Sequence, residues 1–330
     1  MAEISYLQNM IAADLAALNR IIAASLESDN ALMQEIVVKF LEKKGKQIRP
    51  ILVILSGKYF GKITDSVLDA GAAIELIHNA SLIHDDVIDQ ASKRRGVATI
   101  NHVWDNHIAV LVGDFFTSTA LSCAVRTGDQ RVVKAMAQLG ATLALGEIGQ
   151  INNARHHTIT EKSYFDTITK KTASLFRTCV EVGGYAAGGD SAILEKLMEF
   201  AVLFGQCFQI KDDTFDYFDS TEIGKPTGND LREGKITLPL IYALSRTELP
   251  ECGAMQALAA KESLSEDEIA TLIQYAKTSG GIEYSFAKME EIRNKAVALL
   301  DGLPEPNNES SPFAKASFLA LFDYIIDRKK

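Results

Sequence analysis

The stretch ELIHNASLIHDDVID, residues 75–89, carries paired apolar residues along its length and closes on three aspartates. It ends a longer run that Thr64 or Asp65 would cap, so a helix is expected from there to about Asp89. No proline interrupts it, and positions 51 to 225 contain none. A loop-rich all-β chain recruits Pro and Gly at its turns, whereas long helices exclude proline from their interiors. On the amino-terminal side, Leu7, Ile11, Leu15, Leu18 and Ile22 recur at three- and four-residue steps. A second segment starts near Ser28-Asp29, which could cap it, and runs to about Lys44. Gly45 and Pro50 interrupt it, and an apolar helix follows from about Pro50 to Phe60. Further helices are expected over roughly 105–126, 129–153, 160–187, 191–219, 236–246, 265–278, 280–301 and 309–328. The polar segment 220–235, STEIGKPTGNDLREGK, reads as a loop. With no repeat, linker or sustained two-residue alternation, the expected fold class is all-α. It is read as one domain over 1–330, a bundle of about ten or more helices around a central cavity.

The 34 basic and 43 acidic residues give a formal charge of -9, without a Lys/Arg-rich run, which argues against nucleic acid as a partner. Cys123, Cys179, Cys207 and Cys252 show no metal-ligand spacing and read as reduced, buried thiols. The amino terminus lacks the basic start and apolar run of a signal peptide, and the longest charge-free stretch, Ala135 to Gly146, is too short to span a membrane. A cytoplasmic protein is expected.

Two strings carry the chemistry: Asp85-Asp86-Val87-Ile88-Asp89 and Asp212-Asp213-Thr214-Phe215-Asp216. In each DDxxD the first and last carboxylates stand four residues apart, on one helix face. Both strings follow apolar runs and contain no basic partner, so a cation is needed to hold them there. Carboxylate oxygens suit hard ions, and Mg²⁺ favours a few carboxylates completed by water and substrate phosphate. Neither string continues into the central Gly and twelfth-position Glu of an EF-hand. Magnesium between carboxylates implies a polyphosphate, and cationic side chains stand near breaks in the helices. They are Lys46 and Arg49, Arg94 and Arg95, Lys170 and Lys171, and Lys225 and Lys235. His78 lies seven residues before Asp85, on the same helical face.

These residues resemble the trans-isoprenyl diphosphate synthases, also called polyprenyl synthetases, over nearly the whole chain. The resemblance rests on GKQIRP (45–50), ELIHNASLIHDDVID (75–89), RRG (94–96), GD (113–114), KTASLF (171–176), FQIKDDTFD (208–216), GKPTGND (224–230) and EGKITLP (233–239). Lys44 stands where the family usually has the first of two glycines. The resemblance implies that Asp85, Asp89 and Asp212, with Asp216, Asp86 and Asp213 in support, bind Mg²⁺ around the diphosphate of an allylic substrate such as farnesyl diphosphate. It implies that Arg94, Lys171, Thr172, Gln209, Lys225 and Lys235 contact that diphosphate. Lys46, Arg49, His78 and Arg95 would then receive isopentenyl diphosphate. It also implies a homodimer. Loop 220–235 is the candidate lid over a site that must exclude water.

In the family, bulky aromatics four and five residues before the first acidic motif end chain growth early. Here Ser81 and Ala80 are small, with Ile77 a turn further, and the helix from Ser66 to Asp85 spans roughly 30 Å. A long product is expected, of the octaprenyl type, with Phe115 or Phe116 able to supply a floor. The alternatives are a short- or medium-chain synthase, a class I terpene cyclase, and a non-catalytic synthase subunit. A cyclase normally replaces the second DDxxD, and a non-catalytic subunit is expected to lose acidic or basic positions; neither change is present. A long hydrophobic product suggests transient membrane contact at release, although no strongly basic amphipathic helix supports it.

Overall fold

The computed structural model describes residues 2–42, 45–94, 96–156, 160–218, 227–304 and 311–328. Lys44, Arg95, Lys225 and the 220–226 part of the candidate lid lie outside the described residues. The elements are α1 (Ala2–Met10), α2 (Ala12–Ser25), α3 (Ala31–Leu41), α4 (Ile48–Phe60), α5 (Asp65–Ile88), α6 (Ile100–Val103), α7 (Asn106–Arg126), α8 (Gln130–His156) and α9 (Glu161–Ile168). A π-helical turn (Thr169–Ala173) joins α9 to α10 (Ser174–Ala186), and α11 (Ser191–Phe215) follows. The chain continues through α12 (Asn229–Arg232), α13 (Leu238–Ser245), α14 (Cys252–Ala259), α15 (Glu266–Thr278), α16 (Gly281–Asp301) and α17 (Ser311–Asp327). Among the described residues the one sheet is a two-residue antiparallel ladder, Lys93 opposite Ala98 and Arg94 opposite Val97. The all-α class stands.

Several boundaries differ from the sequence reading. The first segment is two helices that break at Ile11, whose backbone leaves helical geometry. Asn30, not Ser28 or Asp29, caps α3: its side chain accepts from the Met33 N–H, and Ser28 Oγ is already taken by the Asn30 N–H. Pro50 sits inside the first turn of α4, where a missing N–H costs nothing, because Gln47 turns the chain in the left-handed region at φ 52°. Thr64 caps α5, as expected.

The core is organised by close backbone approach. Helix α4 is buried on nearly every side, from Ile48 through Tyr59. It crosses α10 at Gly183, where a Cβ would lie 2.5 Å from the Val53 carbonyl oxygen. The Ser56 hydroxyl donates to the Val180 carbonyl at 2.7 Å beside that crossing. Helix α5 packs along α7 and against α2, α4 and α10, and α11 lies against α10, α16 and α17. Two buried apolar clusters result. The larger includes Ile51, Leu52, Val53, Phe116, Phe176 and Phe204. The smaller, around Tyr217, Leu240, Leu272 and Ala276, joins α12, α13 and α15 beyond the second acidic string.

Helix α7 is the one helix, among the described residues, long and apolar enough to cross a membrane by length and composition. Counting only uncharged stretches missed it because the lone Asp114 interrupts the run. Nearly half of it is buried within the bundle, and its outer face exposes Val110, Leu111, Leu121 and Val125. Leu145 and Ile148 of α8 are also exposed.

Gly183→Ala should lower stability by about 1–3 kcal/mol, because backbone on α4 cannot yield as a side chain would. The urea unfolding midpoint measures this; an unchanged midpoint would mean that α4 and α10 separate easily.

Candidate active site

Each acidic string ends its helix. Asp89 is the C-cap of α5 and Asp216 the C-cap of α11, so both sets of carboxylates sit at the negative pole of a helix dipole. The electrostatics are unfavourable before any ligand arrives, and the cations that relieve them mark the site.

At the first string, Asp86 is buried and receives Arg94 Nε at 2.8 Å. The hairpin after α5 thus delivers Arg94 to the inner carboxylate of this string. Burial pushes Asp85 up to about 6; Lys171 and Arg94 pull the other way, while Glu147 and Asp89 add to the rise. Lys171, on the π-helical turn, is paired with Glu147 of α8 and stands within electrostatic reach of Asp85. Asp89 is exposed, and its charge is felt by Lys235, which pairs with Glu233.

At the second string the three carboxylates have three different surroundings. Asp212 receives Arg328 Nη2 at 2.5 Å from the end of the chain, and Arg328 also donates to the Phe208 carbonyl at 3.0 Å. Asp213 is buried between the Tyr164 hydroxyl at 2.5 Å and Gln209 Nε2 at 2.7 Å. Burial and then the nearby Asp230 push its carboxyl well above the ordinary range. Asp216 accepts the backbone N–H groups of Asn229 and Asp230 at 2.8 and 2.9 Å, and so holds the start of α12.

Beside the second string lies a cavity of about 150 Å³ whose lining includes Tyr164, Lys171, Thr172, Gln209, Asp213 and Lys235. The structure therefore brings together Lys171 and Thr172, Gln209, and Lys235, from three separate stretches of sequence. Thr172 donates to Gln209 Oε1 at 2.6 Å. The residues of the second expected subsite lie elsewhere. Arg49 is half-buried near the start of α4, its guanidinium 5.0 Å from the Phe176 ring centroid, and Lys46 lies 5.5 Å from the Tyr324 ring. His78 is buried in α5, where Ser81 Oγ donates to its carbonyl at 2.8 Å. Ala80 and Ile77 are buried and Ser81 is half-buried. Phe116 is buried edge-on to Phe40 and Phe115.

Among the described residues no three His, Cys, Asp or Glu side chains are gathered closely enough to hold a metal by themselves. The donors offered are carboxylates split between two helix ends, which fits a hard divalent cation whose coordination substrate phosphate completes. Sequence reasoning did not single out Glu147, Tyr164, Asp230 or Arg328. Each lies outside the quoted motifs or carries no signal of its own; Glu147, the partner of Lys171, belongs to a different helix from both acidic strings.

A family model for polyprenyl synthetase matches residues 30–276. The chain is 33% identical over 317 residues to heptaprenyl diphosphate synthase component 2 of Bacillus subtilis, covering 96% of this chain and 88% of that one. It is 33% identical over 300 residues to octaprenyl diphosphate synthase of Escherichia coli, with 91% and 93% covered. The crystal structure of a polyprenyl synthase from Caulobacter crescentus, complexed with calcium and isoprenyl diphosphate, superposes with a TM-score of 0.89 at 29% identity. That match covers 99% of this chain and 98% of the other.

A carboxyl raised in the folded state prefers its proton there. The folding cost of ionising Asp85 is therefore absent below its ordinary value of 3.8 and fully present above about 6. In metal-free protein, Asp85→Asn should raise stability at pH 7.5 by about 1–2 kcal/mol, discounted for partial exposure. The gain should fade towards pH 4. Denaturant titrations at the two pH values check it, and a gain of equal size at both would assign the effect to packing.

Proposed function

The chain belongs to the polyprenyl synthetase family and is a prenyltransferase, and we propose that it joins isopentenyl diphosphate head-to-tail (1′-4) to an allylic diphosphate, yielding a long all-trans polyprenyl diphosphate. The observation that carries this reading is the cavity that gathers Lys171, Thr172 and Lys235 beside Asp213 of the second string, with Lys171 and Lys235 in electrostatic reach of Asp85 and Asp89 of the first.

In this reading Asp85, Asp89 and Asp212, with Asp216 behind them, hold the divalent cation, which we take to be Mg²⁺. Bound there, it would neutralise charge on the departing diphosphate. Lys171, Thr172, Lys235 and Arg94, together with Lys225, grip the same diphosphate and supply positive charge where negative charge builds as the allylic C–O bond breaks. Lys46, Arg49 and His78, with Arg95, fix isopentenyl diphosphate so that its double bond meets the allylic carbon. Lys46 and Arg49 flank the start of α4, the positive end of that helix's dipole. The proton lost after bond formation goes to the released diphosphate, since no side chain at the cavity stands out as a base for that carbon.

The growing chain descends along α5 past Ser81 and Ala80, whose small side chains leave the way open. We read residues 1–330 as one domain working in the cytoplasm as a homodimer. The uncovered apolar residues of α7 and α8 support a subunit contact, and four buried free cysteines suit a reducing compartment. The likeness to a protein called component 2 favours one second reading, in which that face receives a different subunit. Light scattering of the purified chain, alone and active, separates the two.

Incubation with Mg²⁺, farnesyl diphosphate and isopentenyl diphosphate, followed by dephosphorylation and sizing, should give linear alcohols longer than geranylgeraniol. Cyclic hydrocarbons, or no use of isopentenyl diphosphate, would sink the reading. Asp85→Ala and Asp212→Ala should each abolish turnover, by more than loss of any one phosphate-binding lysine. Ala80→Tyr should shift the products to shorter chains, and an unchanged distribution would route the product away from this face of α5.

A further inference from the structure

The π-helical turn that carries Lys171 and Thr172 is fastened to α11 along its length. Gln206 Nε2 donates to Thr169 Oγ1 at 2.9 Å, and one turn on Thr172 Oγ1 donates to Gln209 Oε1 at 2.6 Å. The two pairs have the same three-residue spacing on both elements. Beside them Gly205 lets the backbones close up, since a Cβ there would lie 2.5 Å from the Ala173 Cα. The fastening continues past Gln209. Its amide nitrogen donates to Asp213 Oδ1, and the other oxygen of Asp213 accepts the hydroxyl of Tyr164. Tyr164 is buried in α9, the helix that leads into the π-helical turn. A hydrogen-bonded chain, Tyr164 to Asp213 to Gln209 to Thr172, thus leaves α9, crosses α11 and returns to the turn.

Both ends of the Gln209 amide and both oxygens of Asp213 are engaged within this chain. Their part is to set a distance between the second acidic string and the turn. We propose that Tyr164 is a positioning residue for prenyl transfer: by fixing Asp213 and through it Gln209 and Thr172, it holds Lys171 and Thr172 in register with the second acidic string for the allylic diphosphate. The inference rests on the proposed prenyl transfer at this cavity. Lys171 is held from the other side by Glu147, so the turn is set between α8 and α11, and the Tyr164 hydroxyl is the donor that closes the α11 side. Tyr164 itself lines the cavity, but its hydroxyl is spent on Asp213, so its loss acts on the chain of contacts behind Lys171 and Thr172. It loosens the spacing of those two groups.

The test is Tyr164→Phe, with steady-state kinetics for each substrate, thermal unfolding, and calorimetric binding of inorganic pyrophosphate in Mg²⁺. The expected result is a fall of about tenfold in kcat/KM for the allylic diphosphate, the order of one hydrogen bond to a charged group. Pyrophosphate affinity should weaken by a similar factor, while the KM for isopentenyl diphosphate stays unchanged because Lys46 and Arg49 are held by α4. Gln209→Leu cuts the same chain one link further on, so the double variant should be no worse than the more impaired single variant. Additive losses, an equal rise in both KM values, or a lowered melting temperature with unchanged allylic kinetics would overturn the proposal. If Tyr164→Phe fails to fold, Gln209→Leu alone must still show the allylic-only loss and weaker pyrophosphate binding, or the proposal falls. A wild-type protein that does not condense the two substrates would instead remove the functional reading on which it rests.

Discussion

Carboxylates placed at the negative ends of two helices repel one another and their own backbone dipoles, and much of this molecule is arranged around that repulsion. Asp86 is met by Arg94, Asp85 by Lys171, and Asp212 by Arg328, three cations drawn from a hairpin, an internal turn and the residue that follows α17. Even so, burial leaves Asp85 raised to about 6, so the relief is incomplete. A site stable without ligand would have been built differently, with its acids at helix starts or fully paired. Charge left only partly answered is the electrostatic condition a cation-dependent site requires before its ligands arrive.

The scaffold that permits this is dense and depends on small residues. Gly113 accommodates the ring of His84, since a Cβ would stand 2.2 Å from His84 Nε2, and so α5 and α7 meet closely beneath the first string. Gly146 lets α8 approach the backbone of Lys170 and Lys171 at 3.1–3.3 Å from where a Cβ would be. The lysine arm is therefore placed by backbone contact as well as by its ion pair with Glu147. Rigid walls of this kind suit a reaction in which a reactive carbon must meet a double bond and not water.

How much of this could be read beforehand depended on whether the signal was local. Asp85 and Asp89 declared themselves by four-residue spacing at the end of an apolar helix, and Thr64 by its place before one. The boundaries that failed were also local, but there two rules competed. Ser28 and Asn30 are both good caps, and only the hydrogen bond between them decides which one serves. Tyr164 could not be found, because a tyrosine in an amphipathic helix looks like core until Asp213, 49 residues on, is seen against its hydroxyl. Arg328 belongs to no motif, and only the structure shows its side chain 8% exposed on an acidic-motif carboxylate. The division of the basic residues between two substrates came from the family resemblance. The fastening of one motif to another was not legible, since it runs through uncharged Gln and Thr side chains.

The π-helical turn has a bearing on how the protein can change over time. A π turn carries one residue more than the α turn it replaces, so the faces before and after it are out of phase by roughly 100°. Thr169 through Ala173 are where that extra residue is absorbed. Removing one residue here would restore an unbroken α-helix from Glu161 to Ala186 and would satisfy every local preference. It would also swing Tyr164 away from Asp213 relative to α10, or carry Lys171 away from Glu147. Single-residue deletions therefore act here in two opposite ways. In this segment they would yield a better helix and a broken site, so the irregularity persists as a length constraint that substitution alone cannot reveal.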